Sequence, residues 1–116
     1  MNTAELYDHT TGNWTMTAFL SIERVFHTAS VLTDGKVLVV GGLQCRKYGC
    51  LQSAELYDPR TDTWTSTGSL NYPRCHHVAT VLKDGKVLVV GGNPEKKLLR
   101  EPDAYEFRLK EFRLND

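Results

Sequence analysis

The stretch Asp34-Gly-Lys-Val-Leu-Val-Val-Gly-Gly42 decides the fold of this chain, because it recurs unchanged as Asp84-Gly-Lys-Val-Leu-Val-Val-Gly-Gly92. Each copy combines an Asp-Gly pair, four consecutive apolar residues and two glycines. An Asp-Gly pair between β-prone runs predicts a hairpin with a two-residue type I′ turn at residues 34–35 and 84–85. The apolar run is short and rich in valine, which predicts a strand buried on both faces.

The repetition extends outward from this block over most of the chain. At an offset of 50 residues, 25 of 50 aligned positions are identical, which indicates an internal duplication. The sequence Ala4-Glu-Leu-Tyr-Asp8 falls on Ala54-Glu-Leu-Tyr-Asp58, and Trp14 falls on Trp64. The chain is therefore built from one structural unit used more than once.

Each repeat divides into four short strands. In the complete repeat these are predicted at residues 27–32, 36–40, 54–58 and 63–65, with a tight turn at 58–62. In the first copy Gly12 is predicted to occupy the left-handed position of the same turn. No helical periodicity interrupts residues 27–65, so we predict an all-β fold.

The ends of the chain hold incomplete copies of the repeat. Residues 1–26 form a half repeat that contains the third and fourth strands, 27–76 a complete repeat, and 77–116 a partial, degenerate one. In the last copy Phe107 takes the tyrosine position and Leu114 stands where the tryptophan belongs. Residues 105–110 alternate between apolar and polar side chains, and the phase shifts at Phe112 and Leu114. Residues 103–116 are therefore predicted to form a strand, with a short helix or a bulge as the alternative.

A repeat of this length, with Gly-Gly after the second strand, tyrosine in the third and tryptophan in the fourth, resembles the kelch repeat. The resemblance implies an incomplete β-propeller with four-stranded antiparallel blades. It implies structural roles between blades for a shared set of signature residues: Tyr7, Trp14, Gly41, Gly42, Tyr57, Trp64, Gly91 and Gly92. Because propellers close with about four to eight blades, further blades are expected from a longer chain or from self-association.

Charge and hydropathy exclude two classes of partner. Fourteen Lys and Arg balance fourteen Asp and Glu among 116 residues, so no overall positive field would hold a nucleic acid. The longest nearly apolar run, residues 37–43, is far shorter than the roughly 20 residues of a membrane helix. We therefore expect neither nucleic acid nor membrane as a partner. The kelch resemblance and the charges of the long loops imply a protein or acidic peptide instead.

The three cysteines leave the compartment open. Cys45 and Cys50 lie in one loop, where a disulfide and two free thiols are both compatible with the sequence. Cytoplasmic location is the default expectation, and a Cys45–Cys50 disulfide would indicate secretion. Cys75 is expected to be an exposed or half-buried thiol.

The histidines suggest structural roles more than catalysis. His27 and His77 are equivalent positions in successive repeats and are not expected to converge, with His76, on one metal ion. The sequence contains no recognisable nucleophile or metal motif, so we predict a non-enzyme without a cofactor. The alternative implied by the resemblance is a fragment of a galactose-oxidase-like or other carbohydrate-active propeller enzyme.

The long connections follow the second and fourth strands, and therefore share one end of each blade. They carry an excess of positive charge beside two tyrosines, which favours an acidic partner, although solvated loop charges are the alternative. For Arg24 and Arg74 the alternative is to brace their loops from within. The resemblance implies a protein-recognition module, such as a ubiquitin ligase adaptor or an actin scaffold. The candidate partner-binding residues are Arg24, Arg46, Lys47, Tyr48, Tyr72, Arg74, Lys96 and Lys97.

Overall fold

Eight short antiparallel strands form the part of the chain that the computed structural model describes, residues 1–44 and 49–92. Within these residues there is no helix, so the all-β prediction is confirmed and no helix is long and apolar enough to cross a membrane. The strands are β1 (Glu5–Asp8), β2 (Asn13–Met16), β3 (Thr28–Val31), β4 (Val37–Val40), β5 (Ala54–Asp58), β6 (Thr63–Thr67), β7 (Val78–Val81) and β8 (Val87–Val90).

The strands form three sheets that follow the repeat. The middle sheet is a complete blade with the order β3-β4-β5-β6, flanked by the two-stranded sheets β1-β2 and β7-β8. Strands β1 and β2 correspond to β5 and β6 of the complete blade, and β7 and β8 correspond to β3 and β4. The first strands of the last two blades, β3 and β7, lie beside each other.

The Asp-Gly hairpins form as predicted, but their turn type differs. The Leu32 N–H donates to the Lys36 carbonyl at 2.8 Å, and the Gly35 N–H donates to the Leu32 carbonyl at 3.0 Å. Of the two predicted turn residues, Asp34 and Gly35, only Gly35 has a positive φ, of 88°. A type I′ turn needs two left-handed residues, so the predicted turn type is wrong. This is a three-residue connection, a type I turn followed by a left-handed glycine. The Asp34 carboxylate instead accepts a hydrogen bond from the Lys36 N–H at 3.0 Å.

The core lies where the complete blade has neighbours on both sides. In β4, Val39 and Val40 are 4% and 3% exposed, whereas Val37 and Leu38 are half-buried. The identical strand β8 holds no fully buried residue, and Leu88 is 48% exposed. Burial therefore depends on the neighbouring blade and not on the strand sequence.

The paired glycines mark the closest approach between blades. A Cβ atom on Gly41 would lie 2.5 Å from the Arg74 carbonyl oxygen, and one on Gly42 would lie 2.6 Å from the Val25 carbonyl oxygen. The Gly42 N–H also donates to the Arg74 carbonyl at 2.8 Å, across the blade boundary. At this position only glycine lets the two backbones approach this closely.

Candidate binding site at the long-loop end

The candidate site is the end of the blades where the loops after the second and fourth strands meet. Of the eight predicted partner-binding residues, the structure describes three: Arg24, Tyr72 and Arg74. Tyr72 is 65% exposed, whereas Arg24 is 3% exposed and Arg74 is half-buried. The other five lie outside the described residues, and they are Arg46, Lys47, Tyr48, Lys96 and Lys97.

Arg24 braces the loop that precedes β3. Its guanidinium donates from Nη1 to the carbonyls of Gly41 and Ser53, at 2.8 and 3.0 Å. Its Nη2 donates to Ser53 Oγ at 3.2 Å and to Glu55 Oε2 at 3.0 Å. With these four bonds and its side chain 1% exposed, Arg24 matches the bracing alternative and is not accessible to an acidic partner.

Glu55 is the buried acceptor that completes this brace. Its Oε1 accepts from the N–H and the hydroxyl of Ser21, both at 2.8 Å, and its Oε2 also accepts from the Ile22 N–H at 3.3 Å. Burial raises the pKa of this carboxyl, but the hydrogen bonds from Ser21, Arg24 and Ile22 outweigh it and hold the pKa below its ordinary value. The loop between β2 and β3 is therefore fastened to β5 of the next blade.

Arg74 repeats half of this arrangement. Its Nη1 donates to the Gly91 carbonyl at 2.7 Å, as Arg24 does to Gly41. Its backbone N–H donates to the Leu51 carbonyl at 3.1 Å. Both arginines therefore support loop backbone at the same place in successive blades.

A disulfide between Cys50 and Cys75 links two of the long loops. These residues are 25 positions apart, with Cα atoms separated by 5.3 Å. Both alternatives left open by the sequence, a Cys45–Cys50 disulfide and two free thiols, are therefore wrong for Cys50, and Cys45 lies outside the described residues. The prediction of a free Cys75 thiol is also wrong, because Cys75 is 4% exposed and disulfide-bonded. The two loops are adjacent in space because the Gly42 N–H donates to the Arg74 carbonyl at 2.8 Å and the Arg74 N–H donates to the Leu51 carbonyl at 3.1 Å, contacts that loop sequence alone does not indicate.

Phe26 and His76 form a stacked pair at the same end. Their ring centroids are 4.0 Å apart, and the His76 N–H donates to the Phe26 carbonyl at 3.1 Å. Both residues have left-handed backbones, with φ of 57° and 58°, and Phe26 is 50% exposed. Non-glycine residues seldom adopt this conformation, and such strain concentrates at functional positions.

Of the remaining histidines, His77 is held inside the structure, whereas His9 and His27 are exposed. His77 is 7% exposed, and its Nε2 lies 2.9 Å from Thr28 Oγ1. Burial lowers the pKa of His77; the Val40 carbonyl opposes this shift, and the nearby Arg74, His27 and His76 add to it. Partial burial and Arg24 lower the pKa of His27. Among the described residues no three His, Cys, Asp or Glu side chains are grouped as metal ligands.

The signature aromatics occupy different environments in the two copies. Tyr57 is 4% exposed and donates its hydroxyl to Asp62 at 2.9 Å, and burial and that carboxylate raise its pKa. Trp64 donates from Nε1 to Thr17 Oγ1 of the preceding loop, at 3.4 Å. In the first copy Tyr7 and Trp14 keep the same tilted stacking on each other but are 55% and 63% exposed.

A four-stranded antiparallel blade, flanked by two two-stranded sheets of the same repeat with glycines at the close approach, defines the class of protein, which is a segment of a β-propeller. The family model of the Kelch motif matches residues 24–71, so this part of the chain is a kelch motif, as the sequence pattern predicted. Comparison with curated proteins gives no match.

Among solved structures, the chain is similar to a fungal alcohol oxidase of the AA5 family in complex with copper. The two are 31% identical with a TM-score of 0.61, over 69% of this chain. The chain spans 18% of the length of that oxidase chain.

Sequence reasoning missed three features of this end. Glu55 was visible only as part of the repeated Ala-Glu-Leu-Tyr-Asp motif, whose spacing from Arg24 does not indicate a pair. Phe26 and His76 occupy equivalent positions 50 residues apart, which was the available signal for their contact. The spacing of the cysteines gave no indication that Cys50 pairs with Cys75.

Proposed function

We propose that this chain is a non-catalytic recognition module that binds an acidic segment of another protein at its long-loop end. The observation that carries the proposal is the Phe26–His76 stack, in which an exposed phenylalanine lies on a half-buried histidine. Both residues have left-handed backbones and lie just before the neighbouring strands β3 and β7. Rigid, half-exposed aromatic side chains are typical anchors of protein interfaces. The propeller supplies the rigid scaffold and the loops supply the variable contacts.

The surroundings of the stack support this role. Tyr72 and Phe19 lie on the loops after the fourth strands, at the same end as the stack, and are 65% and 64% exposed, so they offer further apolar contact area at this end. The disulfide at Cys75 directly precedes His76 and limits the loss of conformational entropy on binding. The basic residues predicted from sequence, Arg46, Lys47, Lys96 and Lys97, would supply the attraction for carboxylates at the rim.

Selection from a displayed library of random peptides tests the proposal. We expect enrichment of acidic peptides, with binding that weakens as salt rises and is lost in Phe26→Ser and in the fourfold reversal of the basic rim to glutamate. The matched control reverses four cations in the short turns at the opposite end, namely Lys36, Arg60, Lys83 and Lys86. Equal loss in the control and in the rim variant, or no effect of Phe26→Ser, would refute the assignment.

A second candidate is part of an oxidase-like propeller enzyme, favoured by the similarity to the AA5 alcohol oxidase. The described residues do not by themselves fit a copper site, because they bring no three potential ligands together and Cys50 and Cys75 are bonded to each other. We therefore rank this candidate second.

Copper titration separates the two candidates. The oxidase alternative requires stoichiometric Cu²⁺ binding, followed by oxygen-dependent peroxide formation from a primary alcohol. The recognition module requires neither, and its peptide binding is unchanged by a chelator.

A further inference from the structure

Two sheet edges in this chain are complementary to each other. In the complete blade β4 pairs along its outer edge with β5. Strand β8 has the sequence of β4, but within residues 1–44 and 49–92 its only partner is β7. Strand β1 has the sequence of β5 and, within the same residues, pairs only with β2. Among the described residues, β8 therefore lacks a partner of the β5 type, and β1 is a strand of that type.

The charges at these edges are complementary as well. In the complete blade Arg24 donates to the Gly41 carbonyl and to Glu55. Arg74 already donates to the Gly91 carbonyl at 2.7 Å, but the residue 50 positions after Glu55 is Tyr105. No carboxylate of the described residues forms an ion pair with Arg74. Glu5, the equivalent of Glu55, is exposed on β1.

The aromatic residues on the β1-β2 hairpin indicate what a docked state would cover. Tyr7 is 55% exposed, whereas the equivalent Tyr57 is 4% exposed. Trp14 is 63% exposed, whereas Trp64 is half-buried and bonded to the loop that precedes its blade. In the complete blade, that burial accompanies the placement of the hairpin beside β4. Unpaired edges next to exposed apolar side chains favour association.

We propose that the edge of β8, together with the loop carrying Arg74, binds the β1-β2 hairpin of a second copy of this chain. The added hairpin completes a four-stranded blade, and Glu5 of the second copy accepts hydrogen bonds from Arg74. This is strand addition at an open edge, in which main-chain bonds give affinity and the buried ion pair fixes the register.

The complete blade fixes the register of this contact. Strand β4 places Val39 opposite Glu55 and Val37 opposite Tyr57. The equivalent pairs place Val89 opposite Glu5 of the second copy and Val87 opposite its Tyr7. A slip by one residue would turn Glu5 to the other face of the sheet, away from Arg74. Because the contact is head-to-tail, it leads to a ring if the rotation closes.

Charge reversal in the full chain tests the proposal, with sedimentation velocity over a range of protein concentrations as the measurement. We expect reversible association that weakens at least tenfold in Glu5→Arg and in Arg74→Glu. The double variant E5R/R74E restores the ion pair with its polarity reversed and recovers most of the affinity. Lys83→Glu, a reversal on an exposed residue of the β7–β8 turn, is the matched control and leaves association unchanged.

Three results would overturn the proposal: a folded chain that stays monomeric at all concentrations, association insensitive to Glu5→Arg, or a double variant no better than the single ones. Monomeric behaviour would indicate that residues 93–116, which follow β8 directly, occupy the edge instead. Because Glu5 is exposed, Glu5→Arg keeps the test decisive even if Arg74→Glu fails to fold. Circular dichroism of each variant checks that the β-structure is intact.

Discussion

Removal of the Arg24 side chain is the most informative test of how the blades are held together. Arg24→Met deletes four hydrogen bonds of 2.8–3.2 Å while keeping an unbranched side chain of similar reach. The substitution leaves the Glu55 carboxylate, 2% exposed, without its counter-charge. Breaking a buried pair from one side costs about 3–5 kcal/mol, a large part of the roughly 5–15 kcal/mol that stabilises a typical domain.

Urea unfolding followed by tryptophan fluorescence measures this loss. The exposed pair Lys36–Asp34 provides the control, because its 3.8 Å separation and side-chain exposures of 38% and 57% predict a change below about 1 kcal/mol in Lys36→Met. Glu55→Gln tests the same pair from the other side. It keeps an oxygen for the Ser21 donors but leaves the Arg24 charge uncompensated.

The double variant R24M/E55Q completes a thermodynamic cycle. If the two side chains act as one unit, the double variant loses little more stability than either single variant. A loss from Arg24→Met below about 1 kcal/mol, or strictly additive losses in the double variant, would refute the conclusion that this pair fastens the loop to the blade.

Further consequences concern the glycines, the disulfide and a buried histidine. Gly42→Ala forces a Cβ to 2.6 Å from a backbone carbonyl at a φ of 96° and should lower the melting temperature strongly, whereas Gly68→Ala, with no atom within 4 Å, should not. Reduction of Cys50–Cys75 should lower the free energy of unfolding by about 2–4 kcal/mol, and an effect of dithiothreitol that persists in Cys75→Ser would contradict this pairing. Because the pKa of His77 is lowered, the unfolded chain binds more protons, and stability should fall as pH decreases below about 6.5. The urea midpoint at pH 7.5 and 5.5 measures this loss, and His77→Gln should reduce it.

The local sequence pattern was sufficient to predict the strands and their order within a blade. The block from Asp34 to Gly42 specifies a hairpin followed by a close-approach pair of glycines, because these features depend on residues near one another in sequence. The duplication at an offset of 50 residues then predicted the same structure for the next copy of the repeat. The predicted turn type at Gly35 was nevertheless wrong. An Asp-Gly pair is compatible with both a two-residue and a three-residue connection, and the register of the flanking strands selects one of them.

Tertiary structure decided everything that depends on contacts between loops of different blades. The Arg24–Glu55 brace joins residues 31 positions apart, and the Cys50–Cys75 disulfide joins loops that become adjacent only when two blades stack. The same Ala-Glu-Leu-Tyr-Asp motif gives an exposed tyrosine at Tyr7 and a buried one at Tyr57. Sequence sets the periodicity of side chains along a strand, whereas burial, charge pairing and accessibility depend on which blade lies against that strand.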